Sequence, residues 1–406
     1  MFLKISKPKK NIYLDHAAAT PLDLRVKKVM TPFLNENFGN PSSLHQKGRE
    51  AKAGLEQSRK MIADIIGASP SEVIFTAGGS ESVNLAIFGV AGNIKNNQAH
   101  FITSSIEHHC VLNSFQALAG EGRQVSYIKV DGQGIINLEE LKSAVRPETI
   151  LISVMLANNE VGSLQPIAEI GKWLKGENAK RAAKKNPAIL LHTDACQAAG
   201  YLDINVNRLG VDLMSVNGSK IYGPKQTGFL YVRSGIKLKP LVYGGGQERS
   251  LRSGTENVAG VVGLSRALEL AQKEMAKENK RLKALRDYFI NKVVKKDILL
   301  NGAYSKQLKV DNRLPNNINL TVKGVEGETL MLYLDSYGIS VSTSSACSTG
   351  SAEASHVLLA MGRNEKEAKS SIRLTLGKYT TKADLDYVLK VLNGLIPELR
   401  SVKALN

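Results

Sequence analysis

The strongest constraint in this 406-residue chain is an alternation. Apolar stretches at 73–76, 100–106, 125–130, 150–156, 188–195 and 212–216 have strand length, and segments of helical character separate them. Strands alternating with helices predict an α/β fold around an open, largely parallel sheet. Such sheets bind ligands beyond the carboxyl ends of their strands. Those ends here collect polar groups: Ser80, His108, Asn159, Asp194, Gln197 and Lys220. With 43% hydrophobic residues, the chain is long enough for more than one compact unit. The reading is a large domain over residues 16–270 and a smaller one from 1–15 with 271–406. A long helix from Val258 to about residue 294 leads from one to the other. Near the start of the chain Asp23 reads as the cap of a helix to about Leu34 and Ser43 as the start of a helix to Ile66, and residues 339–343 read as one strand.

Each polar group has an ordinary role to set against a special one. Lys220 sits in DLMSVNGSKIYGPKQTG, boxed between Asn217, Gly218 and Ser219 on one side and Gly223 and Pro224 on the other. It is either a loop lysine or an amine placed to attack a carbonyl and form a Schiff base. Ser80 follows Gly78 and Gly79 where a strand gives way to a helix. It is a helix cap or one donor of a phosphate site at the helix N-terminus. His108, within Glu107-His108-His109-Cys110, is a satisfied buried histidine or a flat ring laid over a ligand. Adjacent side chains diverge, so this run is not read as a metal site. Asp194, at the end of a buried strand, needs a cap, an ion pair or a protonated ring nitrogen. Taken together, these groups suit a ligand with a phosphate, a flat ring, a ring nitrogen wanting an acid partner, a ring hydroxyl and an aldehyde. That ligand is pyridoxal 5'-phosphate.

The second half adds three features. Tyr243-Gly244-Gly245-Gly246-Gln247 leads to Arg252-Ser253-Gly254-Thr255, a glycine-rich cationic loop able to meet phosphate. Cys347 lies among serines in SSACSTGS, exposed enough to serve as a nucleophile or to be a tolerated loop thiol. Arg373, on a strand from Ser371, can clamp a carboxylate with two prongs. Cys110 and Cys196 read as small core residues. Three cysteines without CxxC spacing exclude a disulfide framework and structural zinc. No apolar run has membrane-spanning length and no secretory signal is present, so the expected location is the cytoplasm. The net charge of +17 is spread along the chain without interleaved aromatics, which reads as solvated surface rather than a nucleic-acid site.

Over nearly its whole length the sequence resembles the cysteine desulfurases, in the branch with the longer catalytic loop that serves iron–sulfur assembly. FGNPSS, EHHCVL, NNEVG, DACQ, GSKIYGPK, GGGQERSLRSGT, LPNNINL and SSACST carry the likeness, in the family's order. The resemblance implies an aspartate-aminotransferase-like (fold type I) homodimer that takes sulfur from L-cysteine, leaves L-alanine, and passes the sulfur as a persulfide to a scaffold or another acceptor protein. It makes Lys220 the Schiff-base lysine, with His108 stacked on the ring and Asp194 on its nitrogen. Gln197 and Asn159 would reach the ring oxygen. Gly79 and Ser80, together with Asn217 and Ser219, would hold the phosphate, and Thr255 would arrive from a second subunit. Arg373 and Asn40 would grip the substrate carboxylate. Cys347, on a loop of about residues 342–356, would take the sulfur and could share an iron–sulfur cluster transiently.

Three departures stand out. Ser219 occupies a position where the family commonly has histidine, and Asn217 one where serine is usual. Residues 176–187 look like a basic, solvent-exposed insertion. The chain stops at Asn406, short of the tail some members use to dock a scaffold, which leaves the acceptor open. Two other readings remain: a selenocysteine lyase on the same site, and a basic interaction protein on a decayed enzyme fold.

Overall fold

The computed structural model describes residues 11–94, 98–304, 312–343 and 353–403. Its strands are β1 (Ile12–Tyr13), β2 (Val73–Thr76), β3 (His100–Ser104), β4 (Gln124–Ile128), β5 (Thr149–Ser153), β6 (Leu190–Asp194), β7 (Leu213–Asn217), β8 (Gly228–Val232), β9 (Ile298–Leu300), β10 (Asn317–Val322), β11 (Ile339–Ser340), β12 (Ser342–Thr343) and β13 (Ser371–Thr375). Its helices are α1 (Leu24–Asn35), α2 (Gln46–Ile66), α3 (Gly79–Ala91), α4 (His109–Gly120), α5 (Leu138–Ser143), α6 (Ile167–Ala183), α7 (Val206–Leu209), α8 (Val258–Val293), α9 (Gly327–Ser336), α10 (His356–Ala360), α11 (Glu365–Lys369) and α12 (Lys382–Lys403).

The large sheet has the order β2-β8-β7-β6-β5-β3-β4. From β7 through β4 its pairings are parallel, and β8 alone runs against its neighbours β2 and β7. Strands β2, β3, β5 and β8 are buried along their whole length, as expected for a sheet covered on both faces. Because β4 lies outside β3 while β5 lies on its other side, the strand order reverses between β3 and β5. That reversal opens a crevice at the carboxyl edge. A second sheet, β12-β13-β10-β9, is antiparallel, and β1 pairs with β11. Helix α8, 36 residues and about 54 Å long, packs on α1 and α2 near one end and touches β10 and α12. A single apolar cluster runs from Ile152 and Val216 in the large sheet to Leu320 and Leu374 in the smaller one. No helix among the described residues is long and apolar enough to cross a membrane.

The elements follow local chemistry with four corrections. Asp23 caps α1 as expected, accepting from Arg25 N at 2.9 Å. Helix α2, however, starts at Gln46 and not at Ser43. Its cap is His45, whose Nδ1 accepts from Gly48 N, while Ser43 closes a turn onto Asn40 O. Strand β8 was not foreseen; its five apolar or small residues follow the Gly223-Pro224 turn after three intervening residues. The stretch 339–343 is two short strands that pair with different sheets. The basic segment 176–187 is only partly solvated. Arg181 is 4% exposed and donates to the carbonyls of Arg146, Pro147, Thr149 and Pro187, bonds that tie the end of α6 to the start of β5.

Candidate active site

Five strand ends and one strand of the smaller sheet converge on a cavity of about 250 Å³. Its lining includes Gly79 and Ser80 beyond β2, His108 beyond β3, Asn159 beyond β5, Asp194 and Gln197 at β6, Asn217 and Lys220 at β7, and Arg373 from β13. The Ala17-Ala18 backbone, arriving after β1, forms another wall. A neighbouring cavity of about 480 Å³ shares Ala18, Gly79, Ser80 and Asn217, and adds Ser219, Glu81, Lys225 and Gln226.

Lys220 is half-buried, and its Nζ donates to the carbonyls of Ala17 and Ala18 at 2.9 and 2.5 Å. Two neutral backbone acceptors thus help to orient the amine. The alanine run permits this approach, because no larger side chain stands between the two backbones. Asn217 caps the turn that carries the lysine, accepting from Ser219 N and Ser219 Oγ, both at 3.1 Å. Gln197 Nε2 also donates to Ala17 O.

His108 is the N-cap of α4, its Nδ1 accepting from Cys110 N at 3.2 Å. Burial is the largest influence on its ring and lowers its basicity; Asp194 opposes that shift and Lys220 reinforces it. His108 lines the cavity with its Nδ1 committed to the helix cap. Asp194, 8% exposed, accepts from Cys196 N at 2.8 Å. Arg373, 3% exposed, donates from Nη2 to Asp15 at 2.8 Å and from Nη1 to Asn159 O at 3.1 Å. Its Nε is buried without a hydrogen-bond partner. A buried donor left unpaired beside a cavity is the mark of a site made for an acceptor.

Gly79 opens α3, and a Cβ there would lie 2.6 Å from Cys196 Sγ, so a larger residue would have to displace the Cys196 side chain. The α3 N-terminus faces the shared wall of both cavities and offers unpaired N–H groups to an anion. One end of the site thus suits an anion, the middle a flat ring between His108 and Asp194, and the Arg373 side a carboxylate.

The family model for class-V aminotransferases matches residues 12–388. A cysteine desulfurase IscS of Dictyoglomus turgidum is 49% identical over 396 residues, covering 97% of this chain and 96% of the relative. That of Methanosarcina thermophila is 44% identical over 402 residues, covering 99% and 96%. A solved NifS-like protein superposes with a TM-score of 0.86 at 37% identity, over 96% of this chain and all of that one. A structure described as SspA in complex with cysteine gives 0.76 at 36% identity, over 91% and 100%. The chain belongs to the class-V aminotransferases, among the cysteine desulfurases.

Within this cysteine desulfurase the expected residues separate into groups. Gly79, Ser80, His108, Asn159, Asp194, Gln197, Asn217, Lys220 and Arg373 line one cavity, and Ser219 lines its neighbour. Asn40 is exposed, holds Ser42 N, and lines neither of these two cavities; Thr255 is also exposed and lines neither. The glycine-rich run 243–246 also lines neither, and Arg252 beyond it pairs with Glu81. Cys347 lies outside the described residues. Cys110 and Cys196, read as core, both contribute to the cavity wall. Burial, aided by Asp194, pushes both thiols well above the usual range, so both are protonated at neutral pH. Sequence reasoning also missed Asp15, the partner of Arg373; an aspartate ahead of the alanine run was the available signal.

Proposed function

We propose that this chain is a pyridoxal 5'-phosphate-dependent cysteine desulfurase in which Lys220 carries the cofactor and Cys347 accepts the sulfur of L-cysteine, with L-alanine as co-product. The observation that supports it most is the meeting of Lys220, Asp194, His108 and Arg373 in one cavity. The donor set fits the cofactor. The α3 N-terminus with Gly79 and Ser80 suits its phosphate, with Asn217 and Ser219 beside it. Asp194 suits the ring nitrogen, Gln197 and Asn159 the ring hydroxyl, and the His108 imidazole the ring face. When bound, the cofactor supplies an electron sink for the pair left at the substrate α-carbon.

The remaining chemistry belongs to the chain. Lys220 Nζ, parked on two carbonyls, is the group that takes and returns the α-carbon proton. Asp194 would be the acidic partner that holds a proton on the ring nitrogen. Arg373, already fixed by Asp15 and Asn159, has Nε left for the substrate carboxylate. His108, whose basicity is lowered by burial, is neutral near pH 7 and able to receive the thiol proton. The Cys347 thiolate forms an S–S bond to the substrate sulfur as the substrate C–S bond breaks. The released electron pair and a proton become the new C–H bond of alanine. Homodimer formation with Thr255 reaching a partner's site, a scaffold or other acceptor for the sulfur, and a cytoplasmic location belong to the same proposal.

The test is mass spectrometry of the Cys347 peptide after incubation with L-cysteine, paired with absorbance of the purified protein. We expect one retained extra sulfur on Cys347, and a cofactor band that Lys220→Ala abolishes. Cysteine turnover that survives Cys347→Ala overturns the sulfur-transfer role.

A further inference from the structure

The wall of the anion end contains a problem in charge. Glu81 sits in the first turn of α3 and lines the outer cavity beside Ser80. A carboxylate there competes with a phosphate for the positive end of the helix and repels it. Its oxygens are both occupied: Oε2 accepts from Ala77 N at 2.8 Å, and Oε1 accepts from Arg252 Nε at 2.9 Å. Arg252 lines neither cavity. It reaches Glu81 from outside, on a segment whose backbone is costly to hold. Glu248, Arg249 and Ser250 have φ of 46°, 58° and 63°, left-handed values in three successive residues that are not glycine.

A buried device keeps that segment in place. Glu248 is 6% exposed, and its carboxylate takes two 2.8 Å bonds from Arg59 and a third from Phe75 N. Phe75 belongs to β2, the edge strand of the large sheet. The segment therefore grips the strand on one side of the Ala77-Gly78 turn through Glu248, and the helix on the other through Arg252.

We propose that Arg252 is a positioning residue for the cofactor phosphate: through Glu81 it neutralises the one carboxylate in the outer cavity wall and fixes it against the strand–helix turn, so that α3 and Lys225 present net positive charge to a dianion. This rests on the cofactor reading given above. The pair is part-exposed, with side chains 29% and 24% accessible, so the effect is moderate, about tenfold in affinity.

The experiment compares pyridoxal phosphate with pyridoxal, which lacks the phosphate. Uptake and release are followed by absorbance and dialysis for the wild-type protein, Arg252→Gln, Glu81→Gln and the double variant. Arg252→Gln is expected to raise the dissociation constant for pyridoxal phosphate about tenfold while leaving that for pyridoxal within about twofold. The double variant is expected to return close to wild type, because no carboxylate then remains to be neutralised. Equal weakening toward both compounds, no weakening at all, or no rescue in the double variant overturns the proposal. Should Arg252→Gln fail to fold, Glu81→Gln decides alone: an unchanged or tighter grip on pyridoxal phosphate supports the proposal, and a tenfold weaker grip overturns it. A wild-type protein that takes up neither compound sinks the cofactor reading itself, whereas normal wild-type loading without an Arg252 effect sinks this inference only.

Discussion

At the ring end of the site, Asp194, Asn159 and Arg373 are each at most 8% exposed, and each is fixed by a backbone hydrogen bond or an ion pair. At the anion end, Ser80, Lys225 and Gln226 are open to water, and the grip comes from a helix terminus and a capped turn. Charge is worth more where water is excluded, and an unpaired group there costs more. The ring end is therefore where single substitutions should be severe. The anion end shares its work among several exposed groups, each replaceable in part. The contrast also separates chemistry from retention: one end controls where protons go, the other how long the cofactor stays.

The largest effect is expected at Asp194. Asp194→Asn keeps the shape and the hydrogen bond from Cys196 N but removes the negative charge that holds a proton on the ring. Turnover should fall by about 10²–10³-fold with the cofactor still bound. Steady-state rates with a parallel cofactor assay check this, and a fall below tenfold would place the electron sink's control elsewhere. Next comes Arg373→Ala. It deletes the substrate's carboxylate partner and strands Asp15 beside Asn159. The cost is about 3 kcal/mol in folding stability, with a rise in KM for cysteine larger than the drop in kcat. Denaturant melts and Michaelis kinetics separate the two. If KM stays put while stability drops, Arg373 is a structural clamp only.

Much of this contrast was legible before any coordinates. The strand-end positions of His108, Asn159, Asp194 and Lys220 follow from β/α alternation, because each apolar run can end only at the sheet's carboxyl edge. What stayed hidden depends on long-range pairing. Arg181 looks like its solvated lysine neighbours in the sequence, yet three carbonyls of the distant segment 146–149, with that of Pro187, close around it. Glu81 and Arg252 are separated by 171 positions and carry no local sign of meeting. Histidine is an uncommon N-cap, so His45 lost to Ser43 on paper, where the local preference for serine was the only guide. Cys110 has the size and polarity of a core residue; only the geometry of the α4 N-terminus turns it toward the cavity.

A smaller effect, in pH, sharpens the ring end. Glu107 lies behind it, fully buried, accepting from Ser104 Oγ at 2.5 Å and Met155 N at 2.9 Å, with Oε2 unpartnered. Burial, with a lesser push from Asp194, raises its pKa from 4.5 to about 8. The folded state thus prefers the neutral acid more than the unfolded state does. The stabilisation is complete below about pH 4.5, declines above it, and is gone once pH has risen through about 8. Glu107→Gln should flatten the loss of thermal stability between pH 4.5 and about 8, the window these values define. An unchanged slope would mean that Glu160, raised in the same direction to about 7 by its own burial, dominates that range.

The least effect is expected from Ser219→Ala at the anion end. The hydroxyl donates to Asn217 Oδ1 at 3.1 Å, but that oxygen also receives Ser219 N, which the substitution leaves in place. The turn carrying Lys220 should therefore keep its cap, and stability should change by less than about 0.5 kcal/mol. The cofactor's dissociation constant should rise by no more than about threefold, since the α3 N-terminus and Lys225 remain. Asn217→Ala, which removes the cap, should cost about 1 kcal/mol and loosen the lysine's position as well. A Ser219→Ala loss matching that of Asp194→Asn would erase the distinction between the two ends, because a half-buried hydroxyl would then be acting with the weight of a buried charge.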